Sequence, residues 1–128
     1  MNINGYQRYK QQSVDTMTNG EVLILLFDAA IRNLTSASMA LEKKDIDTFH
    51  ESLEKTAKII RHLSDSLDMS YPISKDLYRL YDYFSYQIGR LRAGRRKEVA
   101  DELKEMLFDL RNTFKEADRL ASNKKKNT

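Results

Sequence analysis

Apolar side chains recur along four stretches of the chain at alternating spacings of three and four residues, which is the period of an amphipathic helix. The stretches predict a first helix ending at about Glu42, a second from about Ile46 to Met69, a third from about Lys75 to Ala93, and a fourth ending near Ala121. The predicted seams are Leu23, Phe27, Ala30, Leu34, Ala37 and Leu41; Ile46, Phe49, Leu53, Thr56, Ile60, Leu63 and Leu67; Leu77, Tyr81, Phe84, Ile88 and Leu91; and Leu103, Leu107, Leu110, Phe114 and Ala117.

The segments between these stretches carry the residues that begin and end helices. Thr18 and Glu21 match a capping box, and Asp45 and Ser74 are candidate N-caps for the second and third helices. Gly94 fits the position just beyond a helix end. Because the connections are short, consecutive helices should run antiparallel. The fold class predicted is all-α: an up-down-up-down four-helix bundle over residues 18–121, with an N-terminal arm or short helix at 1–17 and a disordered basic tail at 122–128.

Composition agrees with one small globular domain. The chain has 128 residues, 41% hydrophobic and 32% charged, with one proline and four glycines. So few turn formers argue against an all-β sandwich or barrel. There is no cysteine, which excludes disulfides and thiolate catalysis. The longest apolar run, Val22 to Phe27, is shorter than a membrane span, so we expect a soluble cytosolic protein without membrane insertion.

Net charge adds little to this description. Basic residues outnumber acidic ones by 22 to 19, but Lys124 to Lys126 account for the whole excess. The densest basic cluster before the tail, Arg90 to Lys97, is followed at once by acidic residues. A solvated helix end is therefore favoured over a nucleic-acid site, and no nucleic-acid partner is predicted.

Motifs for catalysis or metal binding are sparse. A di-iron bundle needs two Glu-x-x-His pairs, and the nearest match, Asp47 to His50, occurs once. The glycines are scattered and form no phosphate-binding loop. We therefore predict no catalytic residue, no metal and no cofactor, and hence no enzyme.

The apolar residues exceed what one seam per helix requires. The third predicted helix carries Tyr78, Leu80, Tyr81, Tyr83, Phe84 and Tyr86, which cover more than one face. Tyrosines at the edge of a bundle explain part of this excess, whereas a cluster of exposed rings would mark a groove for a partner helix. In the arm, Tyr6 and Tyr9 lie three residues apart and would share a side of one helical turn. Such an arm could cover the groove when no partner is present.

Five segments in order resemble the FliS family of flagellar export chaperones. They are the arm Tyr9-Lys10-Gln11-Gln12-Ser13-Val14-Asp15-Thr16; the first-helix block Glu21-Val22-Leu23-Ile24-Leu25-Leu26-Phe27-Asp28-Ala29-Ala30-Ile31; the second-helix block Lys58-Ile59-Ile60-Arg61-His62-Leu63-Ser64-Asp65-Ser66-Leu67-Asp68; Leu77-Tyr78-Arg79-Leu80-Tyr81-Asp82-Tyr83-Phe84; and Phe114-Lys115-Glu116-Ala117. The resemblance covers about residues 6–120. Ala29 and Phe114 depart from the usual Gly and Trp of the family pattern.

The resemblance implies a cytoplasmic export chaperone that binds the disordered C-terminal segment of flagellin. Such chaperones prevent premature polymerisation and assist delivery to the flagellar type III export apparatus, whose components are further candidate partners. The partner-binding candidates carried over are Tyr6, Tyr9, Val14 and Thr16 in the arm, Ile59, Ile60, Leu63 and Leu67 in the second helix, and Leu77, Tyr81 and Phe84 in the third.

Two other functions remain open from the sequence. The apolar excess would also serve a homodimeric helical scaffold, and size in solution without client distinguishes that case. A small helical nucleic-acid-binding protein using Arg90 to Lys97 would show salt-dependent binding to DNA.

Overall fold

A computed structural model describes residues 19–126 as four helices joined by short turns. The helices are α1 (Asn19–Glu42), α2 (Ile46–Asp65), α3 (Ile73–Gly94) and α4 (Lys97–Lys126). Helix α1 packs against α2 and α4, and α3 closes the ring by packing against the same two helices. The predicted all-α, antiparallel four-helix bundle is confirmed. The arm at 1–17 and the Thr18 cap lie outside the described residues.

The core follows the predicted seams along most of each helix. Its largest fully buried side chains include Phe27 and Leu34 of α1 and Leu53 of α2. The α4 seam thins towards its end, since Leu110 and Phe114 are only partly buried and Ala117 is exposed. The core residues are Phe27, Ala30, Leu34, Ala37, Ala40, Phe49, Leu53, Ile60, Leu63, Tyr81, Phe84, Ile88, Leu91, Val99, Ala100, Leu103 and Leu107.

Helix ends follow the predicted residues in one case and differ in two. Asp45 caps α2 as predicted, accepting hydrogen bonds from the Thr48 backbone N–H at 3.1 Å and the Thr48 hydroxyl at 2.6 Å. These bonds lower the pKa of the Asp45 carboxyl. Ser74, predicted as the α3 cap, is instead buried inside the first turn. Its hydroxyl donates to the Asp68 carbonyl at 2.6 Å.

The left-handed residue that ends α3 is Arg95, not Gly94. Gly94 is the last helical residue, while Arg95 has φ 52° and donates its backbone N–H to the Leu91 carbonyl at 2.8 Å. Lys44, in the α1–α2 turn, has φ 59°. Both turns lie at the same end of the bundle, because α1 and α3 both end there. A glycine would adopt this backbone conformation at lower cost than either side chain.

The α2–α3 turn, at the opposite end, is organised by Asp68. Its carboxylate accepts from the Ser70 backbone N–H at 3.0 Å and from the Ser70 hydroxyl at 2.6 Å. Both bonds lower the pKa of Asp68. The second predicted helix therefore stops at Asp65 rather than at Met69, because the turn takes up residues 66–72.

Helix α4 continues to Lys126 and so enters the segment 122–128 that was expected to be disordered. Lysine is a good helix former, and cations are favourable near a helix C-terminus. These two effects account for the longer helix.

Candidate partner-binding surface

The sequence-predicted partner residues of α2 and α3 divide into core and edge. Ile60, Leu63, Tyr81 and Phe84 are at most 2% exposed and belong to the hydrophobic core. Ile59, Leu67 and Leu77 are partly buried and pack against that core. Tyr6, Tyr9, Val14 and Thr16 lie outside the described residues. In this conformation the four core residues therefore present very little surface to a partner.

The groove between α2 and α3, where those residues converge, is mostly polar. It encloses about 290 Å³ and is lined by Arg61, Asp65, Asp82 and Arg92 beside the edges of Tyr81 and Ile88. Arg92 lies 3.4 Å from the Glu54 carboxylate on the neighbouring helix. Charged and polar side chains of this kind suit solvent better than an apolar client helix.

Exposed large apolar side chains form two groups among the described residues. One lies on the α2–α3 turn and α3 and includes Met69, Tyr71, Ile73, Tyr78, Tyr83 and Tyr86; the other lies on α1 and α4. Leu25 and Met39 of α1 are 47% and 49% exposed, and Phe108 of α4 is 52% exposed. Ile31, between the two α1 residues in sequence, is partly buried. We call Leu25, Ile31, Met39 and Phe108 the α1 surface. Large apolar side chains gathered on one face are typical of a protein-binding site.

A first apolar hollow lies between α1 and α2. It encloses about 480 Å³ and is lined by Ile31, Met39 and Ala40, with Arg32 and Lys43 also contributing side chains. The Ser52 hydroxyl donates to the Ser36 hydroxyl at 3.0 Å across the same helix pair. Small side chains at this contact let the two helices approach closely, which leaves the longer Ile31 and Met39 to form the wall of the hollow.

A second hollow lies on the other side of Ile31, between α1 and α4. It encloses about 260 Å³ and is lined by Ile31 and Phe108, with Asp101, Lys104 and Glu105 as polar neighbours. Ile31 therefore forms a ridge between two hollows, and each hollow has one exposed apolar residue beside it. An amphipathic helix could place its apolar side chains on both sides of this ridge.

A third hollow lies between α3 and α4. It encloses about 300 Å³ and is lined by Leu80, Phe84, Met106 and Leu110, with Asp109 and Thr113 as polar neighbours. Hollows thus flank α4 on both sides. A long, extended or helical client could contact both by crossing α4 in the neighbourhood of Phe108.

Two contacts hold α1 against α4 beneath this surface. The Arg111 guanidinium donates to the Asp28 carboxylate, with Nε–Oδ1 at 2.8 Å and Nη2–Oδ2 at 3.4 Å, and both side chains are partly buried. The rings of Phe27 and Phe114 stack with centroids 5.5 Å apart. The ion pair fixes the register of the two helices, because a two-point guanidinium–carboxylate contact restricts both distance and orientation.

The α1 surface was missed by the sequence prediction, although a signal was present. Leu25 and Met39 fall off the α1 seam, and the apolar run Val22 to Phe27 covers all sides of the helix just after its first turn. A helix that is apolar on several sides needs cover on several sides. The sequence prediction applied this argument to α3, where Tyr78, Tyr83 and Tyr86 are indeed exposed, but not to α1.

Two further structural observations concern metals and membranes. Within residues 19–126, no three side chains of His, Cys, Asp or Glu are grouped so as to hold a metal ion. The segment Gly20–Glu42 is long and apolar enough to cross a membrane when judged by length and composition. The prediction from the sequence considered only the uninterrupted apolar run Val22 to Phe27, which is too short to cross a membrane. The longer segment is weak support for a membrane span, because the core helix of a soluble protein meets the same criterion.

The chain is similar to flagellar chaperones over nearly its whole length. Residues 2–121 match the family described as flagellar protein FliS. The flagellar secretion chaperone FliS of Bacillus subtilis (strain 168) is 27% identical over 114 residues, which span 89% of this chain and 86% of that protein. A crystal structure described as a flagellar chaperone from bacteria has the same fold, with a TM-score of 0.75 at 24% identity, over 93% of this chain and 98% of the other. The chain therefore belongs to the FliS family of flagellar secretion chaperones.

Proposed function

We propose that this protein binds the disordered C-terminal segment of flagellin in the cytoplasm, prevents its premature polymerisation and assists its delivery to the flagellar type III export apparatus. The family is one of chaperones and not of enzymes, and the Bacillus subtilis relative is named a flagellar secretion chaperone. The observation that carries the proposal is the α1 surface, in which the partly buried Ile31 separates two hollows that are bordered by the exposed Met39 and Phe108.

This surface suits a client that folds as it binds. A disordered segment that becomes an amphipathic helix hides its apolar side chains from water, and part of the gain is offset by its loss of chain entropy. The hollows are shallow and distributed around α1 and α4, so the client would wrap the bundle rather than fill one deep pocket. While wrapped, its apolar face is unavailable for assembly with other flagellin molecules.

The sequence-predicted residues have different parts in this proposal. Ile59, Leu67 and Leu77 stand at the edge of the α2–α3 interface, where a long client could reach them. Ile60, Leu63, Tyr81 and Phe84 shape that interface from within the core. For the arm, Tyr6 and Tyr9 with Val14 and Thr16 remain candidates to contact the client or to cover the apolar surface in its absence.

The direct test is a titration of the full chain with the C-terminal segment of flagellin from the same organism, about 40–60 residues long so that it includes a region that folds on binding. Calorimetry gives the stoichiometry and circular dichroism the helix content. We expect a 1:1 complex with more helix than the separate components.

Two double variants with matched chemistry locate the site. Met39→Glu with Phe108→Glu places a charge beside each α1 hollow, and we expect client affinity to fall at least about tenfold, as for changes at an interface hot spot. Tyr71→Glu with Tyr86→Glu is the control, because these residues are 62% and 64% exposed and line none of the hollows described above. Equal weakening by both pairs would contradict the placement of the site on α1.

Size in solution separates the chaperone from a homodimeric scaffold. The same apolar surface could pair with a second copy, so the client-free protein should be measured by sedimentation. A stable dimer that does not bind the flagellin segment at high micromolar concentration would make the scaffold the better explanation. Dissociation of any dimer by the client would support the chaperone.

A further inference from the structure

Positive charge is concentrated at the α3–α4 turn. Residues 90–98 hold five basic side chains, Arg90, Arg92, Arg95, Arg96 and Lys97, against one acidic side chain, Glu98, which gives the turn a net charge of +4. The whole chain has a net charge of +3. All six side chains belong to exposed residues. The cluster is thus a distinct local feature and not a sample of the average surface.

Helix stability alone explains only part of the cluster. Arg90 and Arg92 lie in the last turns of α3, where cations interact favourably with the helix dipole. Arg95 is the C-cap of α3, whereas Arg96 and Lys97 immediately precede or begin α4, where the dipole favours anions. Two consecutive cations at a helix N-terminus work against the local field, so another role for their charge is indicated.

Backbone conformation points in the same direction. Arg95 and Lys44 are the residues other than glycine with positive φ among those the structure describes, and both are cations at this end of the bundle. Glycine would relieve the strain at either position. Residues held in this conformation tend to occur at functional sites.

The two turns at this end form one surface. Lys97 of the α3–α4 turn donates to the Glu42 carboxylate at the end of α1, and this contact lowers the pKa of Glu42 and raises that of Lys97. Asp45 is occupied by its hydrogen bonds from Thr48. Arg92 lies 3.4 Å from the Glu54 carboxylate and Arg96 lies 3.9 Å from that of Glu98, so these carboxylates offset part of the positive charge. Among the described contacts, no ion pair or side-chain hydrogen bond involves Lys44 or Arg95.

We propose that this end of the bundle, formed by residues 42–45 and 90–98, binds an acidic polypeptide segment of a second protein. Lys43 and Asp45 also line the hollow between α1 and α2, so this surface borders the one proposed for the flagellin client. Carboxylates at Glu42, Asp45 and Glu98 stand between the cations and would repel a continuous phosphate backbone, whereas a peptide can place its acidic side chains selectively. No large apolar side chain of the two turns is exposed, and insertion of such side chains is what holds amphipathic elements on membranes.

The test uses the full-length protein and fluorescein-labelled poly-L-glutamate of about 15 residues, which when extended can span both turns. Fluorescence anisotropy at low and moderate salt gives the affinity, and amide chemical shifts identify the contacted residues. Lys44→Gly with Arg95→Gly removes two charges while relieving backbone strain, so folding should be retained. We expect this variant to bind about fivefold more weakly, from two exposed cations of moderate effect each.

The control removes more charge at the other end of α4. Lys124, Lys125 and Lys126 are changed together to Gln, and we expect less than about a twofold effect, because these positions are remote from both turns and screened by salt. Shifts confined to residues 42–45 and 90–98 would support the proposal. A larger loss in the lysine control, or unchanged binding in the glycine variant, would overturn it.

Two competing ligands complete the experiment. The same variants are titrated with two other anionic ligands. One is a DNA duplex of about 15 base pairs, which has the charge density of natural DNA, and the other is vesicles of phosphatidylserine with phosphatidylcholine. Tighter binding of either ligand than of poly-L-glutamate, with loss of that binding in the glycine variant, would show that the surface serves nucleic acid or lipid. The proposal would then be wrong.

Discussion

Helices α1 and α2 lie side by side and antiparallel, yet their apolar side chains are distributed differently. In α2 the buried residues, among them Phe49, Leu53 and Ile60, fall on one face, and charged residues such as Glu51, Glu54 and Lys55 fill the other. In α1 the core face is equally well buried, but Leu25 and Met39 remain on the outside. The outward face of α2 thus interacts with water, whereas that of α1 carries apolar side chains that its own bundle leaves uncovered.

This difference separates residues that maintain the fold from residues available to a partner. The apolar residues of α2 pack in the core, so changing them should reduce the stability of the fold. The outward apolar residues of α1 contribute little to the core, so changing them should affect binding. Amphipathic periodicity alone marks both sets as hydrophobic, and only the arrangement of neighbouring helices distinguishes them.

The first prediction compares a leucine-to-alanine substitution on α2 with one on α1, and the α2 variant should show the largest change in the free energy of unfolding. Leu53→Ala removes a fully buried side chain of α2 and should lower the free energy of unfolding by about 2–5 kcal/mol. Leu25→Ala, at a residue 47% exposed on α1, should change it by less than about 1 kcal/mol. Urea denaturation followed by circular dichroism measures both. Similar losses at the two positions would remove the distinction between the helices.

The fold was more predictable than the binding surface for a physical reason. Seam residues such as Phe27, Leu53 and Phe84 are buried whichever neighbours a helix has, so the periodicity was sufficient to predict four helices and their core. Whether Ile60 or Met39 faces a partner depends on which helices lie beside it. Among the four described helices, α2 and α4 pack against α1 and none covers its outer face. That arrangement is set by long-range packing, to which local spacing is insensitive.

Helix ends show the same limit on a smaller scale. The Asp45 cap was predictable because the aspartate side chain and the Thr48 N–H are close in sequence. Ser74 has the right side chain for a cap, but its hydroxyl bonds instead to the Asp68 carbonyl, on the other side of the turn. The left-handed conformation at Arg95 rather than Gly94 likewise depends on how α3 meets α4.

The second prediction applies the distinction between core and partner-binding residues to α3. Tyr81 was predicted from the sequence to bind a partner, but it lies in the core. Burial raises its pKa to about 12. The folded state therefore holds the phenol proton more tightly than the unfolded chain, whose tyrosine titrates near 10. This contribution is complete below about pH 10 and is lost between about pH 10 and 12, by up to about 2–3 kcal/mol.

Tyr81→Phe removes this titration and should flatten the alkaline fall in stability relative to the parent protein. The exposed Tyr86→Phe is the matched control and should follow the parent curve. Urea midpoints from pH 8 to 11.5 measure the difference. If both variants follow the same curve, Tyr81 is not held in a buried environment, and its place on a client surface would regain support.

The third prediction concerns Gly20, near the start of α1, where a side chain of α4 approaches closely. A Cβ atom at Gly20 would overlap the Asp118 carboxylate, with the Asp118 Cβ itself only 3.0 Å away. Alanine has the higher helix propensity, but the overlap should dominate, so Gly20→Ala should destabilise by about 1–3 kcal/mol. Adding Asp118→Ala should recover most of this loss. Additive losses in the double variant, measured by thermal unfolding, would show that the two side chains do not compete for space.

The smallest effect is expected at the ion pair that holds α4 against α1 beneath the α1 surface. Asp28→Asn keeps the shape of the side chain but removes the charge that accepts from Arg111, and a partly buried charge-assisted contact of this kind contributes about 1–2 kcal/mol. Because the pair sets the register of Phe108 relative to Ile31, client affinity should fall together with stability, although neither Asp28 nor Arg111 lines either α1 hollow.

Glu116→Gln is the control, since its pair with Arg119 lies within one exposed turn of α4 and should matter little. Loss of stability in Asp28→Asn with unchanged client affinity would show that the α1 surface does not depend on how α4 is docked. The apolar side chains of α1 would then act as independent contacts, and the difference between α1 and α2 would reside in α1 alone.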